Sequence, residues 1–234
     1  MTSRTTLPHL VATATGLVLA WLAFDQHLGS RRVSRGLAAN GRHRLRTMHR
    51  THPVQAGETV FLGDSITFDG DWAAAFEHLR ARNRGIGWDT TDDLLERLDD
   101  SLDGPPATVV LMIGTNDLPL GVPHAKTIRN VSLVLDRIAE AAPEALVVVQ
   151  SVLPRTDRYH PLVAPLNEAL ARVCAERGLP FVDHTEGLSG PDGHLDPDCH
   201  DDGIHPNGEG HRRLVEGLAP LLAPHADPDR GDGQ

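Results

Sequence analysis

A serine in the first third of the chain and a histidine–aspartate pair near its end have the residue types and spacing that hydroxyl chemistry requires. Ser65 directly follows a short apolar run, in Gly63-Asp64-Ser65. Asp202 and His205 lie three residues apart, so the carboxylate can accept the imidazole Nδ1–H and leave Nε2 for a serine. Taken singly, each segment is also a common turn or helix cap. Together they supply a nucleophile, a base and a group that orients the base.

Two further segments offer hydrogen-bond donors for an oxyanion that forms at such a serine. Asn116 follows a strongly apolar run, in Gly114-Thr115-Asn116-Asp117, where its side-chain NH2 could donate. For this residue taken alone, an Asx turn is the simpler interpretation. The glycine-containing segment 83–90 has backbone amides that could donate to the same oxyanion. The fold must bring these separate segments together.

The apolar runs that precede these segments predict short β-strands. Between the runs, apolar residues recur at helical spacing, and a last helix is predicted to begin near Pro206. Apolar strands that alternate with amphipathic helices predict a parallel sheet covered on both faces, with its site at the carboxyl ends of the strands. The five predicted strands are Thr59–Leu62, Asn83–Ile86, Thr108–Ile113, Ala145–Gln150 and Pro180–Asp183.

Four segments in this order resemble the SGNH, or GDSL, hydrolase family, and the resemblance covers roughly Thr59 to Ala219. The matching segments are FLGDSITFDGDW, NRGIGWDTT, VVLMIGTNDL and DDGIHPN. Among the family's branches, the chain looks closest to the one with platelet-activating-factor acetylhydrolase-like and lysophospholipase-like esterases. The resemblance implies a three-layer α/β/α, flavodoxin-like fold with about five parallel strands. It also implies metal-free hydrolysis of an ester or thioester, with a small-molecule acyl ester as substrate.

The same resemblance implies a role for each site residue. Ser65 takes the place of the nucleophile, His205 that of the base and Asp202 that of the orienting carboxylate. The oxyanion donors would be the Ser65 N–H, the Asn116 side chain and one backbone N–H of the second segment. For the natural reaction, a carbohydrate O-deacetylase is an alternative to an esterase for lipid-like or small acyl esters. A catalytically weakened, ligand-binding descendant is the alternative outside catalysis.

The second segment departs from the family pattern at one position. The oxyanion glycine that usually precedes Asp-Thr is Trp88 in this sequence. A backbone N–H survives the change from glycine to tryptophan if Trp88 can adopt the required φ and ψ. The indole would then narrow or reshape the pocket. If the loop is shifted, Gly87 is the fallback donor.

Composition excludes several other classes of protein. Hydrophobic residues make up 40% and charged residues 23% of the chain, which is typical of a folded globular protein. Cys174 and Cys199 form neither a disulfide framework nor a CxxC pair, and the His- and Asp-rich stretch 194–211 matches no metal-ligand spacing. We therefore expect no metal and no cofactor.

Charge is divided unevenly along the chain. Residues 1–50 contain eight basic residues and one acidic residue, whereas the remainder contains 14 basic and 31 acidic residues. An acidic body argues against nucleic acid as a partner. A basic leader on an acidic body is typical of a tail that faces a membrane or a polyanion.

The leader also contains an apolar stretch, residues 5–24, that has no charged side chain. Its length is borderline for a membrane span, and an apolar helix packed on the body or a cleaved signal peptide are alternatives. Arginines after the stretch favour a cytoplasmic-facing domain over an exported one. The predicted divisions are a membrane-anchor-like helix (1–28), a basic linker (29–56), an SGNH hydrolase domain (57–223) and a disordered tail (224–234).

Overall fold

The computed structural model describes residues 41–223 of the chain. The chain divides into two units, residues 1–43 and 44–234, and the fold given below is that of the second unit. The predicted apolar helix at 5–24 and the predicted tail at 224–234 lie outside the described residues. Of the helices that are described, none is long and apolar enough to cross a bilayer.

A five-stranded parallel sheet forms the centre of the second unit, as the sequence predicts. Its strand order is β2-β1-β3-β4-β5, and every neighbouring pair is parallel. The strands β1, β3 and β4 are almost wholly buried, which explains their continuous apolar sequences. The bounds are β1 Thr59–Gly63, β2 Ala81–Gly85, β3 Thr108–Met112, β4 Leu146–Gln150 and β5 Phe181–Val182.

Helices cover both faces of the sheet and complete three layers. Alternate strand residues such as Val60 and Leu62 pack with α4, α5 and α6, whereas Phe61 and Val110 pack with α3 and α8. The first helix that the structure describes, α1, covers residues 41–51, and residues 44–51 of it belong to this unit. The others are α2 Ser65–Asp69, α3 Trp72–Ala75, α4 Thr91–Ser101, α5 His124–Ala141, α6 Val163–Arg177, α7 Thr185–Leu188 and α8 Gly208–Leu222.

The last helix begins later than the sequence predicts. The helix α8 starts at Gly208, and the Asn207 side chain caps it by accepting hydrogen bonds from the N–H groups of Glu209 and Gly210. Pro206 instead forms an isolated antiparallel bridge with His200. An asparagine cap satisfies two helix-end donors, whereas a proline in the first turn satisfies none, and this decides the boundary.

The helix α1 lies within the predicted basic linker and is held by acidic residues of α4. Both Arg46 Nε and Arg50 Nε lie 2.8 Å from carboxylate oxygens of Asp100. Two of the arginines that the sequence assigns to a linker are thus bound to the body of the protein. The predicted domain boundaries themselves stay a prediction.

Candidate active site

Ser65 lies at the turn between β1 and α2, at the carboxyl edge of the sheet. The turn is sharp: a Cβ at Gly63 would lie 2.2 Å from the Met112 carbonyl oxygen, so only glycine fits. Asp64 caps α2, because its Oδ1 accepts a hydrogen bond from Ile66 N at 3.0 Å. Ser65 is the first residue of α2, where a backbone N–H has no partner within the helix and is available to a ligand.

The structure brings Ser65, His205 and Asp202 into one chain of hydrogen bonds. Ser65 Oγ lies 2.9 Å from His205 Nε2, and His205 Nδ1 lies 2.6 Å from Asp202 Oδ2. The other carboxylate oxygen, Oδ1, accepts the backbone N–H groups of His205 and Ile204 at 2.8 and 2.9 Å. A carboxylate held in this way fixes the imidazole so that Nε2 faces the serine hydroxyl.

The Asp202 carboxylate is ionised over the physiological pH range. Partial burial acts to raise its pKa, but hydrogen bonds from the backbone and ring of His205 and from Ile204 N outweigh burial and lower that pKa to about 2. A charged Asp202 can therefore balance the positive charge that forms when His205 takes up a proton.

The loop that carries Asp202 and His205 rests on the segment after β4. Thr156 N donates to the Gly203 carbonyl at 3.1 Å. Cys199 is fully buried in a cluster that includes Ile66 and Leu214, so it does not line the cleft. Burial raises the pKa of its thiol, as expected for an inert cysteine.

Asn116 reaches the site from the loop after β3. Its Nδ2 donates one hydrogen bond to the Asp89 carbonyl oxygen at 3.0 Å, and an amide NH2 has a second hydrogen for a ligand. Arg155 is buried and holds the neighbouring Thr115 through both its carbonyl oxygen (3.0 Å) and its hydroxyl (2.7 Å). Asp117 accepts hydrogen bonds from Thr91 and Thr127.

Trp88 adopts the left-handed backbone conformation that glycine normally supplies. Its φ is 68°, the one positive φ at a non-glycine position among residues 41–223. The preceding Gly87 lies close to the nucleophile, since a Cβ added there would be 4.0 Å from Ser65 Cβ. The indole is 66% exposed, so it borders an open space and does not fill a pocket.

Two aromatic residues that follow Ser65 have different environments. Trp72 is 2% exposed and stacks on Phe61 with ring centroids 4.4 Å apart, so it belongs to the core. Phe68 is 46% exposed at the carboxyl edge of the sheet. Of these two side chains, only Phe68 is accessible to a bound molecule.

A buried ion pair beneath the site was missed by the sequence reasoning. Arg97 and Asp89 are both fully buried and paired, and Arg97 Nη2 also donates to the Gly63 carbonyl at 2.8 Å. The helix α4 thereby links the turn of the nucleophile to the loop that carries Trp88. A signal was present, because Arg97 falls on the same helical face as Leu94 and Leu98 and so takes a core position.

Asp64 is a second buried charged group beside the nucleophile. Burial, reinforced by the charge of Asp89, raises the pKa of the Asp64 carboxyl to about 7 in spite of the hydrogen bond from Ile66 N.

Across residues 41–223, no three His, Cys, Asp or Glu side chains are grouped so as to hold a metal ion. What the site offers instead is a hydroxyl, an imidazole, a carboxylate and several N–H donors, which is the equipment for acyl transfer.

Comparison with known proteins adds relatives by sequence. Residues 61–213 match the model of the GDSL-like Lipase/Acylhydrolase family. Platelet-activating factor acetylhydrolase IB subunit alpha1 of Bos taurus is 32% identical over 190 residues, 75% of this chain and 79% of that protein. Platelet-activating factor acetylhydrolase IB subunit alpha2 of Homo sapiens is 29% identical over 182 residues, 70% of this chain and 76% of that protein.

Solved structures share the fold. A structure from Streptococcus pneumoniae has a TM-score of 0.77 at 24% identity and covers 82% of this chain and 98% of its own. A GDSL-like lipase from Bacteroides thetaiotaomicron has a TM-score of 0.67 at 24% identity and covers 78% of this chain and 97% of its own. The family model covers most of the sheet and includes Ser65, Asp202 and His205. This match and the sequence relatives show that the chain belongs to the GDSL-like lipase/acylhydrolase family of ester-hydrolysing enzymes.

Proposed function

We propose that the protein is a serine hydrolase that cleaves a carboxylic ester through Ser65, His205 and Asp202 and a covalent acyl-enzyme. The observation that carries the proposal is the hydrogen-bond chain of 2.9 Å from Ser65 Oγ to His205 Nε2 and 2.6 Å from His205 Nδ1 to Asp202. This geometry lies within the reach that proton transfer requires.

In the first half of the reaction, His205 Nε2 takes the Ser65 proton as Oγ attacks the acyl carbonyl carbon. The resulting oxyanion is stabilised by the Ser65 N–H, the second hydrogen of Asn116 Nδ2 and the N–H of Trp88, with Gly87 N–H as the alternative third donor. The protonated His205 then gives its proton to the leaving alcohol oxygen, and the carbon–oxygen bond breaks. The acyl group remains on Ser65.

In the second half, water replaces the alcohol. His205 takes a proton from water as the water oxygen attacks the acyl carbon. His205 then gives that proton to Ser65 Oγ when the carboxylic acid leaves. Asp202 keeps its negative charge throughout, because its pKa of about 2 lies far below the working pH. Substrates that fit are lipid-like or small acyl esters, since the acidic surroundings of the site disfavour strongly anionic ones.

Labelling with a fluorophosphonate probe tests the proposed nucleophile. We expect the folded wild-type protein to be labelled and to hydrolyse p-nitrophenyl acetate, and Ser65→Ala to lose both properties. Ser151→Ala is a matched control, since Ser151 is fully buried and lies outside the hydrogen-bond chain. Unlabelled, folded wild-type protein would instead favour a ligand-binding descendant without catalysis.

The pH dependence of the rate tests the base. A base must be unprotonated to accept the Ser65 proton, so we expect kcat/KM to fall on acidification. Asp202 stays charged over that range because of its lowered pKa. A rate that is constant from pH 5 to 8 would contradict the scheme. Rates of hydrolysis of simple acyl esters and of acetylated sugars then distinguish the two substrate classes. Acetylated sugars are the substrates expected for a carbohydrate O-deacetylase.

The sequence supports a further proposal about location, namely that residues 5–24 attach the enzyme to a membrane with the domain facing the cytoplasm. The support is the uncharged apolar stretch followed by arginines. Cell fractionation of the full chain should find it in the membrane fraction, and the double variant Leu17→Asp/Leu19→Asp in the soluble fraction. Recovery of both proteins in the soluble fraction would refute the proposal.

A further inference from the structure

Exposed apolar side chains are concentrated at the carboxyl edge of the sheet. Six large apolar side chains are exposed among residues 41–223, and four of them lie in segments that follow β1, β2, β3 and β4 in turn. These four are Phe68, Trp88, Leu120 and Leu162. The same edge carries Ser65, so apolar surface borders the proposed nucleophile.

Trp88 is the most unusual of the four, because the folded chain gains little from it. A φ of 68° is unfavourable for a bulky residue, and glycine would adopt it without strain. The indole offers little burial in return, since 66% of the residue is exposed. The proposed donor role of the Trp88 N–H accounts for this backbone conformation, and the exposed indole is accessible to a bound molecule.

Phe68 borders the same part of the edge as Trp88. A Cβ at Gly85 would lie 2.2 Å from Phe68 N, so the backbone of α2 presses directly on the end of β2. Asn83 Nδ2 also donates to the Phe68 carbonyl at 3.0 Å. Gly85 ends β2, and Trp88 follows three residues later. The two aromatic residues therefore flank one strand end beside Ser65.

The strand order places this aromatic pair opposite the proposed base. His205 lies in a loop that rests on the segment after β4, through the Thr156–Gly203 hydrogen bond. In the sheet, β2 and β4 lie on opposite sides of β1, the strand that leads to Ser65. The leaving alcohol oxygen must lie at His205 to receive its proton. The carbonyl oxygen of the same ester lies at the oxyanion donors, so the acyl group takes the remaining direction, which leads away from His205.

We propose that Trp88 and Phe68 form an apolar wall, here called the β2 wall, that contacts the acyl chain of the ester. This inference rests on the proposed hydrolysis at Ser65 and specifies its substrate class. Because the β2 wall is open to solvent, it favours acyl chains longer than acetyl and does not exclude them. Each methylene group covered by apolar surface should raise kcat/KM by about two- to fourfold.

The test is acyl-chain profiling with p-nitrophenyl acetate, butyrate and hexanoate at concentrations where each ester is monomeric. The measured quantity is the ratio of kcat/KM for hexanoate to that for acetate, taken within each protein so that a change in overall rate cancels. We expect the ratio to exceed about 10 in the wild type and to fall several-fold in Trp88→Gly. Phe68→Ala, a second and independent variant, should lower the ratio in the same direction.

Leu133→Ala is the matched control. Leu133 is 45% exposed on α5, away from the strand ends, so its removal should leave the ratio unchanged. A ratio that is the same in the wild type, Trp88→Gly and Phe68→Ala would overturn the β2 wall while hydrolysis of acetate still supports Ser65 chemistry. An equal fall in Leu133→Ala would overturn it as well. Failure of the wild type to hydrolyse any ester or to react with fluorophosphonate would instead overturn the proposed function.

Discussion

At the residue scale, the side-chain amide of Asn116 is oriented by a single hydrogen bond. One hydrogen of its Nδ2 is bound by the Asp89 carbonyl at 3.0 Å, which fixes the direction of the other. A donor that is already fixed needs no reorganisation when negative charge develops on the substrate. The carbonyl that fixes it belongs to a residue whose own carboxylate is paired with buried Arg97.

Replacing Asn116 with alanine should therefore lower kcat by about 10²- to 10³-fold with little change in KM, because one oxyanion donor is lost. Steady-state kinetics on p-nitrophenyl acetate measures both constants. Asn167→Ala is the matched control: Asn167 is also nearly buried, but its side chain bonds both backbone groups of Val152. It should lower the melting temperature and leave kcat of the folded enzyme much less affected. Equal losses of kcat in the two variants would contradict the assigned donor.

The buried carboxyl of Asp64 should make the stability of the protein depend on pH. Burial raises the pKa of its carboxyl to about 7, whereas an aspartate in the unfolded chain ionises near 4. Between these values the folded chain binds the extra proton, so the contribution of Asp64 to stability falls as pH rises from about 4 to 7. Asp64→Asn cannot ionise. The melting temperature of Asp64→Asn relative to that of the wild type should thus rise as pH increases from 4.5 to 8. Parallel melting curves for the two proteins would contradict the raised pKa.

At the residue scale, the sequence predicts the main side chains of the candidate site but not the residues that hold them in place. Ser65, Asp202 and His205 are predicted as one group because their types and order match a family pattern. The conformation of Trp88 and the role of Arg155 depend on contacts between segments far apart in sequence. Arg155 bonds Thr115, 40 residues away, and no local pattern marks it.

Strands that are buried on both faces are well predicted, because a continuous apolar run is sufficient to define β1, β3 and β4. These three strands and the short edge strand β5 are predicted to within one residue at each end. The strand β2 begins two residues earlier than predicted. As an edge strand, it carries Arg82 and Arg84, which interrupt the apolar pattern. Polar residues on an edge strand are compatible with pairing, but they conceal its start.

The packing of α1 on α4 leads to an element-scale prediction. Asp100 accepts hydrogen bonds from both Arg46 and Arg50, so Asp100→Ala removes two ion pairs at once. We expect a loss of roughly 1 kcal/mol in the free energy of unfolding, and faster tryptic cleavage at the arginines of residues 44–50. Asp99→Ala is the control, because Asp99 pairs with Arg137 on α5. Equal cleavage rates for the two variants would show that Asp100 does not hold α1.

At the scale of the whole molecule, buried histidines predict sensitivity to acid. Burial lowers the pKa of His184 to about 4 and that of His49 to about 3, and nearby Arg84 contributes at His49. The unfolded chain binds these protons near pH 6.5, so it holds more protons than the folded chain at intermediate pH. The stabilising contribution is complete above about 6.5 and is lost as pH falls toward 4.

Thermal unfolding at pH 7.5, 5.5 and 4.5 checks this expectation. The melting temperature of the wild type should drop over that range. His184→Gln, which lacks a titrating ring at the site beside Gln150, should lose less than the wild type between pH 7.5 and 4.5. Exposed His78 offers a control variant, His78→Gln, whose melting curve should follow that of the wild type. Asp64 acts in the opposite direction in both proteins, so the decisive comparison is between them: an equal loss of melting temperature in the wild type and in His184→Gln would contradict the lowered pKa of His184.

Asn83 has a consequence for motion. Its side-chain Nδ2 lies 2.9, 3.0 and 3.1 Å from the carbonyl oxygens of Thr67, Phe68 and Gly70. These carbonyls lie at the end of α2 and just beyond it, where the Gly70 N–H donates to Thr67 as well. The helix of Ser65 is therefore fastened to the strand that leads to Trp88. Ser65 and Trp88, the proposed nucleophile and third oxyanion donor, should move together as one rigid piece, so that any opening of the cleft comes from the His205 side.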